Sequence, residues 1–245
     1  MAEVVLKVEN LKVYHPVKSA FLARVKGYVK AVDGVSFQLH KGETLALVGE
    51  SGSGKTTIAR AITHLVRPTD GTINCDRRLA MIFQDPLASL NPRHSVREIL
   101  LEALPKSRRS EEALMAALEE VGLGPESADR YPHEFSGGQR QRICIARAIA
   151  SEPEILLCDE AVSALDLSIR SQILDLLSQL KVSHELSMLF ITHDLGVVRH
   201  FADRVVVLEH GRIAEQGEVE ELFTRPTSDY TRELIASIPR LKPQR

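Results

Sequence analysis

The stretch that decides the fold spans residues 49–57 and reads Gly49-Glu50-Ser51-Gly52-Ser53-Gly54-Lys55-Thr56-Thr57. An apolar run at residues 44–48 precedes it and is typical of a buried strand. The apolar residues that follow it are spaced as one face of a helix: Ile58, Ile62, Leu65 and Val66. A glycine-rich turn between a strand and a helix lets backbone N–H groups converge on an anion, where the helix dipole also favours negative charge. An ordinary surface turn would not need Gly-Lys-Thr at this spacing, so we predict a phosphate-binding loop, here called the P-loop.

Two side chains at the end of the P-loop supply further chemistry for a nucleoside triphosphate. Lys55 can neutralise the β- and γ-phosphates, and the hydroxyl of Thr56 can bind Mg²⁺. The motif by itself indicates only that a nucleoside triphosphate binds. The rest of the chain has to indicate what the nucleotide is used for.

Composition limits the classes of protein to consider. The chain has 245 residues, of which 44% are hydrophobic, and this suits one large α/β domain or a core with a subdomain. Its formal net charge is -2, and 4% of its residues are aromatic, with no Trp. Such a chain lacks both the positive field and the stacking rings of a nucleic-acid binder, so we expect no nucleic-acid partner.

Cysteine usage and hydropathy indicate the compartment. Cys75, Cys144 and Cys158 form no Cys-x-x-Cys pair, which favours reduced thiols in the cytosol over a disulfide framework or a zinc site. No apolar run approaches the roughly 20 residues that span a bilayer, and we see no signal peptide at the N-terminus. If the protein works at a membrane, we expect other subunits to cross it.

Hydrophobic patterns along the chain predict the fold class. Strands are predicted at residues 4–14, 35–39, 44–48, 72–75, 79–83, 154–158, 186–191 and 204–208, with a basic, irregular connection at residues 15–30. The pattern is helical at about residues 86–150, where Ser110 is a predicted N-cap, and a tail follows at about residues 227–245. We therefore predict one α/β domain over residues 1–245. It has a P-loop NTPase (RecA-like) core with a mainly parallel sheet, an N-terminal antiparallel β subdomain and a helical subdomain.

Polar side chains that can act on a phosphate follow several of the predicted strands. Asp159 ends an apolar strand, where its carboxylate can bind Mg²⁺, and Glu160 can act as a general base on the attacking water. Gln84 can bind the metal or the water, and His193 can form a hydrogen bond to the γ-phosphate. Taken alone, a glutamine or histidine there is more often a surface or structural residue. Strand ends at the carboxyl edge of a parallel sheet lie together, so we expect these residues to gather near the P-loop.

A second glycine-containing segment begins a predicted helix. Residues 135–142 read Phe-Ser-Gly-Gly-Gln-Arg-Gln-Arg, and apolar residues follow on one helix face. The segment is another helix N-terminus suited to an anion. A simple capped helix accounts for Ser136, but not for the full sequence Ser-Gly-Gly-Gln.

These motifs occur in the order that marks ATP-binding cassette (ABC) ATPases, and the resemblance covers nearly the whole chain. The motifs are the P-loop, Gln84, Ser136-Gly137-Gly138-Gln139, residues 155–160, Ser163-Ala164-Leu165-Asp166 and His193. In that family two cassettes pair head to tail. The resemblance implies that each ATP lies between the P-loop of one cassette and the signature residues 136–139 of the other, with Asp166 at the dimer seam.

The resemblance also implies a role for each site residue. Glu160, His193 and Gln84 are the expected catalytic residues, while Thr56, Gln84 and Asp159 are the expected Mg²⁺ ligands. An aromatic residue near the end of the first strand is expected to stack on adenine. Tyr14 is the candidate, with His15 close behind.

Three segments resemble the importer subgroup for oligopeptides, dipeptides and nickel: residues 31–35, 84–93 and 229–235. This resemblance implies an ATPase that energises an ABC importer of peptides or a related small solute. Its expected partners are a second ABC ATPase subunit, two transmembrane permease subunits and an extracytoplasmic solute-binding protein. The expected location is the cytoplasmic face of a bacterial or archaeal membrane. A shorter stretch between Gly71 and Gln84 than is usual leaves the substrate open.

Other functions stay as alternatives at this point. A nickel or metal-chelate importer fits the same subgroup. A soluble ABC machine is less favoured, because there are no sustained heptads and only one cassette. A kinase or GTPase would not need the signature motif, and Asn-Lys-x-Asp is absent. A non-hydrolysing switch would not need Glu160 and His193.

Overall fold

The computed structural model describes residues 3–18, 25–163 and 165–238. The strands are β1 Val4–Lys18, β2 Val25–His40, β3 Thr44–Val48, β4 Asp70–Asn74, β5 Leu79–Ile82, β6 Ile155–Asp159, β7 Ser187–Thr192, β8 Arg204–Glu209 and β9 Arg212–Glu218. The helices are α1 Lys55–Ile62, α2 Pro86–Ser89, α3 Val96–Ala103, α4 Glu111–Glu120, α5 Gly137–Ala150, α6 Leu167–Ser183, α7 Leu195–Phe201, α8 Val219–Thr224 and α9 Asp229–Ala236. Among the helices in these ranges, none combines the length and the apolar character needed to span a bilayer.

The chain divides into two compact units, and the first contains Met1–Asp76 and Leu189–Arg245. Its antiparallel sheet has the strand order β2-β1-β4. A second group of strands has the order β7-β3-β8-β9, in which β8 pairs parallel with β3 and antiparallel with β9. The apolar side chains of β3 and β8 meet those of α7 and α8 in one buried cluster, here called the core cluster: Ala46, Val48, Leu195, Val198, Val205, Val207, Val219 and Leu222.

The second unit is Arg77–Met188. In it, β5 pairs parallel with β6, and α2, α3 and α4 pack against α5. α5 is the centre of this unit because most of its residues are buried, including Ile143 and Ile145 at 0% exposure. α4 begins at the predicted cap, since Ser110 Oγ accepts a hydrogen bond of 3.2 Å from Ala113 N.

The predicted fold class is confirmed, because the chain has parallel strand pairs, an N-terminal antiparallel sheet and a run of helices between Pro86 and Ala150. The division into subdomains at residues 86 and 150 stays a prediction.

The prediction of an irregular connection at residues 15–30 was wrong at both of its ends. β1 continues to Lys18 and β2 begins at Val25, and the two strands pair antiparallel over this length. Residues 19–24 lie outside the described residues. The side chains of Val17, Tyr28 and Val29 are 44%, 63% and 55% exposed, so apolar residues lie in solvent in this part of the β1–β2 ribbon. The sequence here therefore lacks the alternation of buried apolar and exposed polar residues by which a strand is predicted.

The predicted helix after the P-loop was too long. α1 ends at Ile62, His64 has a φ of 58°, and Leu65 is 62% exposed. The hydroxyl of Thr63 donates to the carbonyl oxygen of Ala59 at 3.0 Å. The chain therefore leaves the helix before the last two apolar residues of the predicted face.

Candidate functional site

The P-loop joins β3 to α1 in the first unit. All five residues of β3 are buried, so the strand places the start of the loop firmly. Gly49, Gly52 and Gly54 have φ angles of 156°, 83° and 108°. Gly54 is the N-cap of α1, and no side chain caps this helix. α1 therefore begins without the side-chain acceptor that usually satisfies the first N–H groups, which suits an anion at this end.

Lys55 is the charged group of the loop, and it is 4% exposed. Its Nζ donates to the carbonyl oxygens of Gly49 at 2.7 Å and Glu50 at 2.8 Å, and it lies 3.5 Å from Ser53 Oγ. An ammonium group has three N–H donors. A phosphate oxygen can therefore replace the long contact with Ser53 while the two carbonyl bonds continue to hold the lysine in place.

Close packing fixes the residue type at Gly49. A Cβ added there would lie 2.2 Å from the carbonyl oxygen of Leu208 and 2.7 Å from Ser53 Oγ. The φ of 156° also lies in a region that favours glycine. The end of β8 thus presses on the start of the P-loop, and no larger residue fits between them.

The turn between β8 and β9 holds the loop from a further direction. Gly211 N donates to the carbonyl oxygen of Ser53 at 3.0 Å, and Asp33 N donates to the carbonyl oxygen of Gly211 at 2.8 Å. The P-loop, β2 and the β8–β9 turn are therefore joined through main-chain hydrogen bonds in one continuous path.

Tyr14, the candidate for adenine stacking, lies in β1 and is half-buried. Its hydroxyl donates to the carboxylate of Asp33, which also accepts from Arg212 Nη2 at 2.7 Å. These two hydrogen bonds, the one from Tyr14 first, hold the pKa of Asp33 well below its usual range. The Nζ of Lys30 lies 5.3 Å from the centre of the Tyr14 ring. The ring is thus held in place, while its role, and that of exposed His15, stays a prediction.

His193 follows β7 in the same unit, and it is exposed. The next residue, Asp194, caps α7, because its Oδ1 accepts from Gly196 N at 2.9 Å and Val197 N at 3.3 Å. Asp194 N in turn donates to Thr192 Oγ1 at 3.0 Å. The backbone on both sides of His193 is therefore fixed.

The second unit brings Gln84 and Glu160 together. Gln84 Nε2 donates to Glu160 Oε2 at 3.1 Å, from positions just after β5 and β6. Glu160 has a φ of 49°, which is strained for a residue with a Cβ. Its carbonyl oxygen accepts from Ser163 N at 3.1 Å and Ser163 Oγ at 2.9 Å. Hydrogen bonds from Ser163 therefore hold this turn, and the amide of Gln84 orients the carboxylate of Glu160.

Asp159 differs from its neighbour in burial, being 3% exposed at the end of β6. It follows Cys158, whose thiol is fully buried; burial and the nearby carboxylate of Asp159 raise the pKa of that thiol far above its usual value. Asp159 is therefore a buried carboxylate at a strand end, and carboxylate oxygens are donors that Mg²⁺ accepts.

The signature residues 136–139 form the N-terminus of α5, also in the second unit. Ser136 Oγ accepts from Gln139 N at 3.3 Å, and Gln139 Oε1 accepts from Ser136 N at 3.0 Å, which is a capping box. A Cβ on Gly138 would lie 2.8 Å from Ile169 Cγ2. The capping box therefore accounts for Gln139 as well as Ser136, and the close contact with Ile169 accounts for Gly138. Gly137 is different, because a Cβ there would meet nothing within 4 Å.

Asp166, expected at the dimer seam, is the N-cap of α6. Its side chain makes no capping hydrogen bond, and Asp166 is exposed next to Leu167, which is 80% exposed. A carboxylate at an N-cap usually binds the helix amides. Here it is available for another contact, although its role at a seam stays a prediction.

The expected Mg²⁺ ligands are tested by their chemistry. Thr56, Gln84 and Asp159 offer a hydroxyl, an amide and a carboxylate oxygen, which are the hard donors that Mg²⁺ prefers. Residues 3–18, 25–163 and 165–238 hold no group of three or more His, Cys, Asp or Glu placed for a metal. A magnesium ion bound through one or two protein oxygens and substrate phosphates needs no such group, so the residues fit.

Two side chains near the P-loop were not expected from the sequence. Asp33 holds Tyr14 and Arg212, and the hydroxyl of Tyr230 accepts a hydrogen bond of 3.1 Å from Glu50 N. Both lie in segments quoted for the resemblance to peptide importers, residues 31–35 and 229–235. That resemblance was the available signal, but it gave no indication that these two side chains reach the P-loop and its surroundings.

Comparison with known proteins places this arrangement in a family. The family model described as ABC transporter matches residues 32–163. The oligopeptide transport ATP-binding protein AppF of Bacillus subtilis is 45% identical, over 97% of this chain and 79% of its own length. The oligopeptide transport ATP-binding protein OppF of Escherichia coli is 46% identical, over 97% of this chain and 78% of its own length.

A solved structure supports the same assignment. The dimeric ATP-binding cassette MJ0796, in a post-hydrolysis state bound to ADP and Pi, is similar with a TM-score of 0.75 and 26% identity. The match covers 87% of this chain and 98% of that one. The chain therefore belongs to the ABC transporter family, as a nucleotide-binding cassette with ATPase activity.

Proposed function

We propose that this chain is the ATP-hydrolysing subunit of an ABC importer for peptides. The observation that carries the proposal is the identity of 45% and 46% to two oligopeptide transport ATP-binding proteins, each over 97% of the chain. A nickel or metal-chelate importer is the alternative that the same resemblance leaves open.

Binding of ATP is assigned to the P-loop. The N–H groups at the start of α1 and the ammonium group of Lys55 bind the phosphates, and the glycines allow the close approach. Tyr14, or His15 beside it, stacks on the adenine. The buried position of Lys55 and its hydrogen bonds to two carbonyl oxygens support this assignment, because they hold the ammonium group in place at the loop.

Hydrolysis is assigned to Glu160, Gln84 and His193. Glu160 takes a proton from the attacking water, the water oxygen bonds to the γ-phosphorus, and the bond from that phosphorus to the β–γ bridging oxygen breaks. ADP and phosphate are the products. Gln84 orients the carboxylate through the 3.1 Å hydrogen bond, and His193 donates to a γ-phosphate oxygen. The strained φ of 49° at Glu160 supports a functional position.

Thr56, Gln84 and Asp159 would hold Mg²⁺. When bound, this ion supplies positive charge that offsets the charge on the β- and γ-phosphates.

The signature residues 136–139 are assigned to the ATP of a second cassette, which is a copy of this chain or a homologue. Gly137 leaves open space at the exposed start of α5, and that supports close approach of another group. Asp166 is placed at the seam of the same dimer. ATP closes the dimer because it has higher affinity for the closed state, and hydrolysis removes that preference.

The remaining partners are two transmembrane permease subunits and an extracytoplasmic solute-binding protein, with the chain at the cytoplasmic face of the membrane. Phe83 and Leu87, on either side of Gln84 and Asp85, are 36% and 46% exposed. Such apolar side chains beside a catalytic glutamine support a docking surface for a permease.

The proposal is tested by purifying a tagged Glu160→Gln chain with ATP from native membranes. We expect two integral membrane subunits to copurify. The wild-type complex in proteoliposomes should then hydrolyse ATP faster when its solute-binding protein carries a peptide. Stimulation by a nickel chelate and not by peptides would contradict the proposed substrate. Purification without any membrane subunit would contradict an importer.

A further inference from the structure

Helix α9 belongs to the first unit, and contacts just before it and along its length hold it against the rest of that unit. At its start, the carboxylate of Glu215 in β9 accepts from Thr227 N at 2.8 Å and Ser228 N at 3.1 Å. Further along, Tyr230, Leu234, Ile235 and Ile238 pack against the core cluster. α9 is therefore docked on the strands and helices that support the P-loop.

From this docked helix, Tyr230 reaches the P-loop. Its hydroxyl oxygen accepts from Glu50 N at 3.1 Å, across 180 residues of sequence. Burial, as the largest cause, raises the pKa of Tyr230, so the phenol keeps its proton at neutral pH. The contact is thus a neutral hydrogen bond from a main-chain donor to a phenol.

The N–H of Glu50 and the carbonyl of Gly49 belong to the same peptide group. That carbonyl accepts from Lys55 Nζ at 2.7 Å, while the N–H donates to Tyr230. In a trans peptide the two groups point in opposite directions. The Gly49–Glu50 peptide group is therefore held on one side by Tyr230 and on the other by Lys55. Hydrogen bonds linked through one peptide group polarise and so strengthen one another.

This peptide needs an external restraint because glycine precedes it. Gly49 lacks a Cβ, and its backbone can rotate more freely than that of any other residue. Rotation would turn the carbonyl away from Lys55 and release the ammonium group from one of its two main-chain acceptors. A hydrogen bond on the opposite side of the peptide opposes that rotation.

We propose that Tyr230 is a positioning residue for nucleotide binding, which sets the orientation of Lys55 through the Gly49–Glu50 peptide. This inference rests on the proposed role of the P-loop in binding ATP. It assigns to the C-terminal helix a direct part in the affinity for ATP, in addition to its packing on the core cluster.

The test compares Tyr230→Phe with the wild-type chain. Phenylalanine keeps the ring that packs on the core cluster and removes only the hydroxyl. We expect the Kd for Mg-ATP to rise about fivefold, the size expected for one neutral hydrogen bond. The melting temperature should fall by no more than about a few degrees, and hydrogen exchange at the amide of Glu50 should become faster. Tyr28→Phe is the matched control, since Tyr28 is 63% exposed in β2, and it should change none of these values.

A third variant separates this inference from the assignment of the site. If Lys55→Ala leaves the Kd for ATP unchanged, the proposed nucleotide site itself is wrong. If Lys55→Ala weakens binding but Tyr230→Phe does not, only the role of Tyr230 is overturned. A lower melting temperature for Tyr230→Phe with unchanged affinity, or unchanged exchange at Glu50, would also overturn it.

Discussion

The starts of α1 and α5 look alike in sequence, since glycines precede or begin both helices, but they are built differently. At α1, Gly54 is the N-cap without a capping side chain, and buried Lys55 lies in the first turn. At α5, Ser136 and Gln139 satisfy each other and the helix in a capping box. The start of α1 has no capping side chain and has a buried ammonium group in its first turn, whereas the start of α5 is capped by its own residues.

This difference indicates how much each helix start contributes to binding. A site with a held ammonium group and an uncapped helix can bind a phosphate within one chain. A capped start without a lysine offers weaker interactions, and it adds to a complex that is already assembled. We therefore expect changes at the P-loop to affect the affinity of a single chain, and changes at residues 136–139 to affect the paired state.

The largest effect, on the rate of ATP hydrolysis, is expected from Glu160→Gln. Glu160 belongs to neither helix start, so this variant tests whether hydrolysis needs a third group. Loss of a general base should lower kcat by a factor of about 10²–10⁴. The Kd for ATP should stay unchanged, and a dimer should accumulate with ATP on size-exclusion chromatography. Glu154→Gln is the control, because Glu154 forms a surface ion pair with Arg77 at 3.0 Å. Normal turnover by Glu160→Gln would remove Glu160 as the base.

The next effect concerns the P-loop side of the comparison. Lys55→Ala should weaken ATP binding by about 10- to 100-fold, since hydrogen bonds that involve a charged group contribute about 1.5–3 kcal/mol each. Isothermal titration with Mg-ATP measures this change. Lys41→Ala, at an exposed turn before β3, is the matched loss of one positive charge and should bind normally. If both variants weakened ATP binding equally, the affinity would depend on the net charge of the chain and not on the position of Lys55.

A smaller effect on ATP hydrolysis is expected at residues 136–139. Two adjacent glycines there allow a substitution that disturbs packing to be compared with one that does not. Gly138→Ala would bring a Cβ to 2.8 Å from Ile169 Cγ2, and overpacking of this kind costs about 1–3 kcal/mol. Gly137→Ala meets no atom within 4 Å, so its melting temperature should not fall. We nevertheless expect it to hydrolyse ATP several-fold more slowly, with unchanged ATP affinity in the single chain. Unchanged hydrolysis would show that nothing approaches Gly137.

The smallest effect is expected from pH at the docking of α9. Burial alone would raise the pKa of Glu215, but hydrogen bonds from the Thr227 and Ser228 backbone outweigh it and hold the pKa below the ordinary 4.5. The ionised carboxylate therefore stabilises the folded state fully above pH 4.5, and this contribution is lost as the pH falls through the lowered pKa. The protection of α9 amides against exchange, relative to their slower intrinsic exchange in acid, should fall below that pH, and less so in Glu215→Gln. If protection in α9 depended on pH equally in the wild-type chain and in Glu215→Gln, Glu215 would not be the group that links the docking of α9 to pH.

Local signals explain most of what could be predicted from the sequence. The buried run of β3, the Gly-Lys-Thr of the P-loop and the cap at Ser110 are each defined within a few residues. β9 was missed because the side chains of Arg212–Glu218 are mostly polar and only partly buried. The extensions of β1 and β2 were missed for a similar reason, since both faces of that ribbon expose apolar residues.

Features of the site that were not predicted depend on distant residues or on backbone conformation. The contact between Tyr230 and Glu50 joins positions 180 residues apart, and no local pattern records it. The strained φ of Glu160 is also invisible in the sequence, because glutamate is not a residue type that favours this conformation. Burial at Asp159 could be expected from the strand before it, but the exposure of Asp166 could not.

The assembly of the first unit from two distant stretches has a consequence for biosynthesis. The amide of Thr44, which opens β3, donates to Asp203 Oδ2, a carboxylate that is 159 residues further along. At about 5–20 residues per second, a ribosome needs on the order of 8–30 seconds to add that stretch. During this delay the strand that leads into the P-loop has no β8 beside it. A nascent chain therefore gains a finished P-loop only after β8 has been translated.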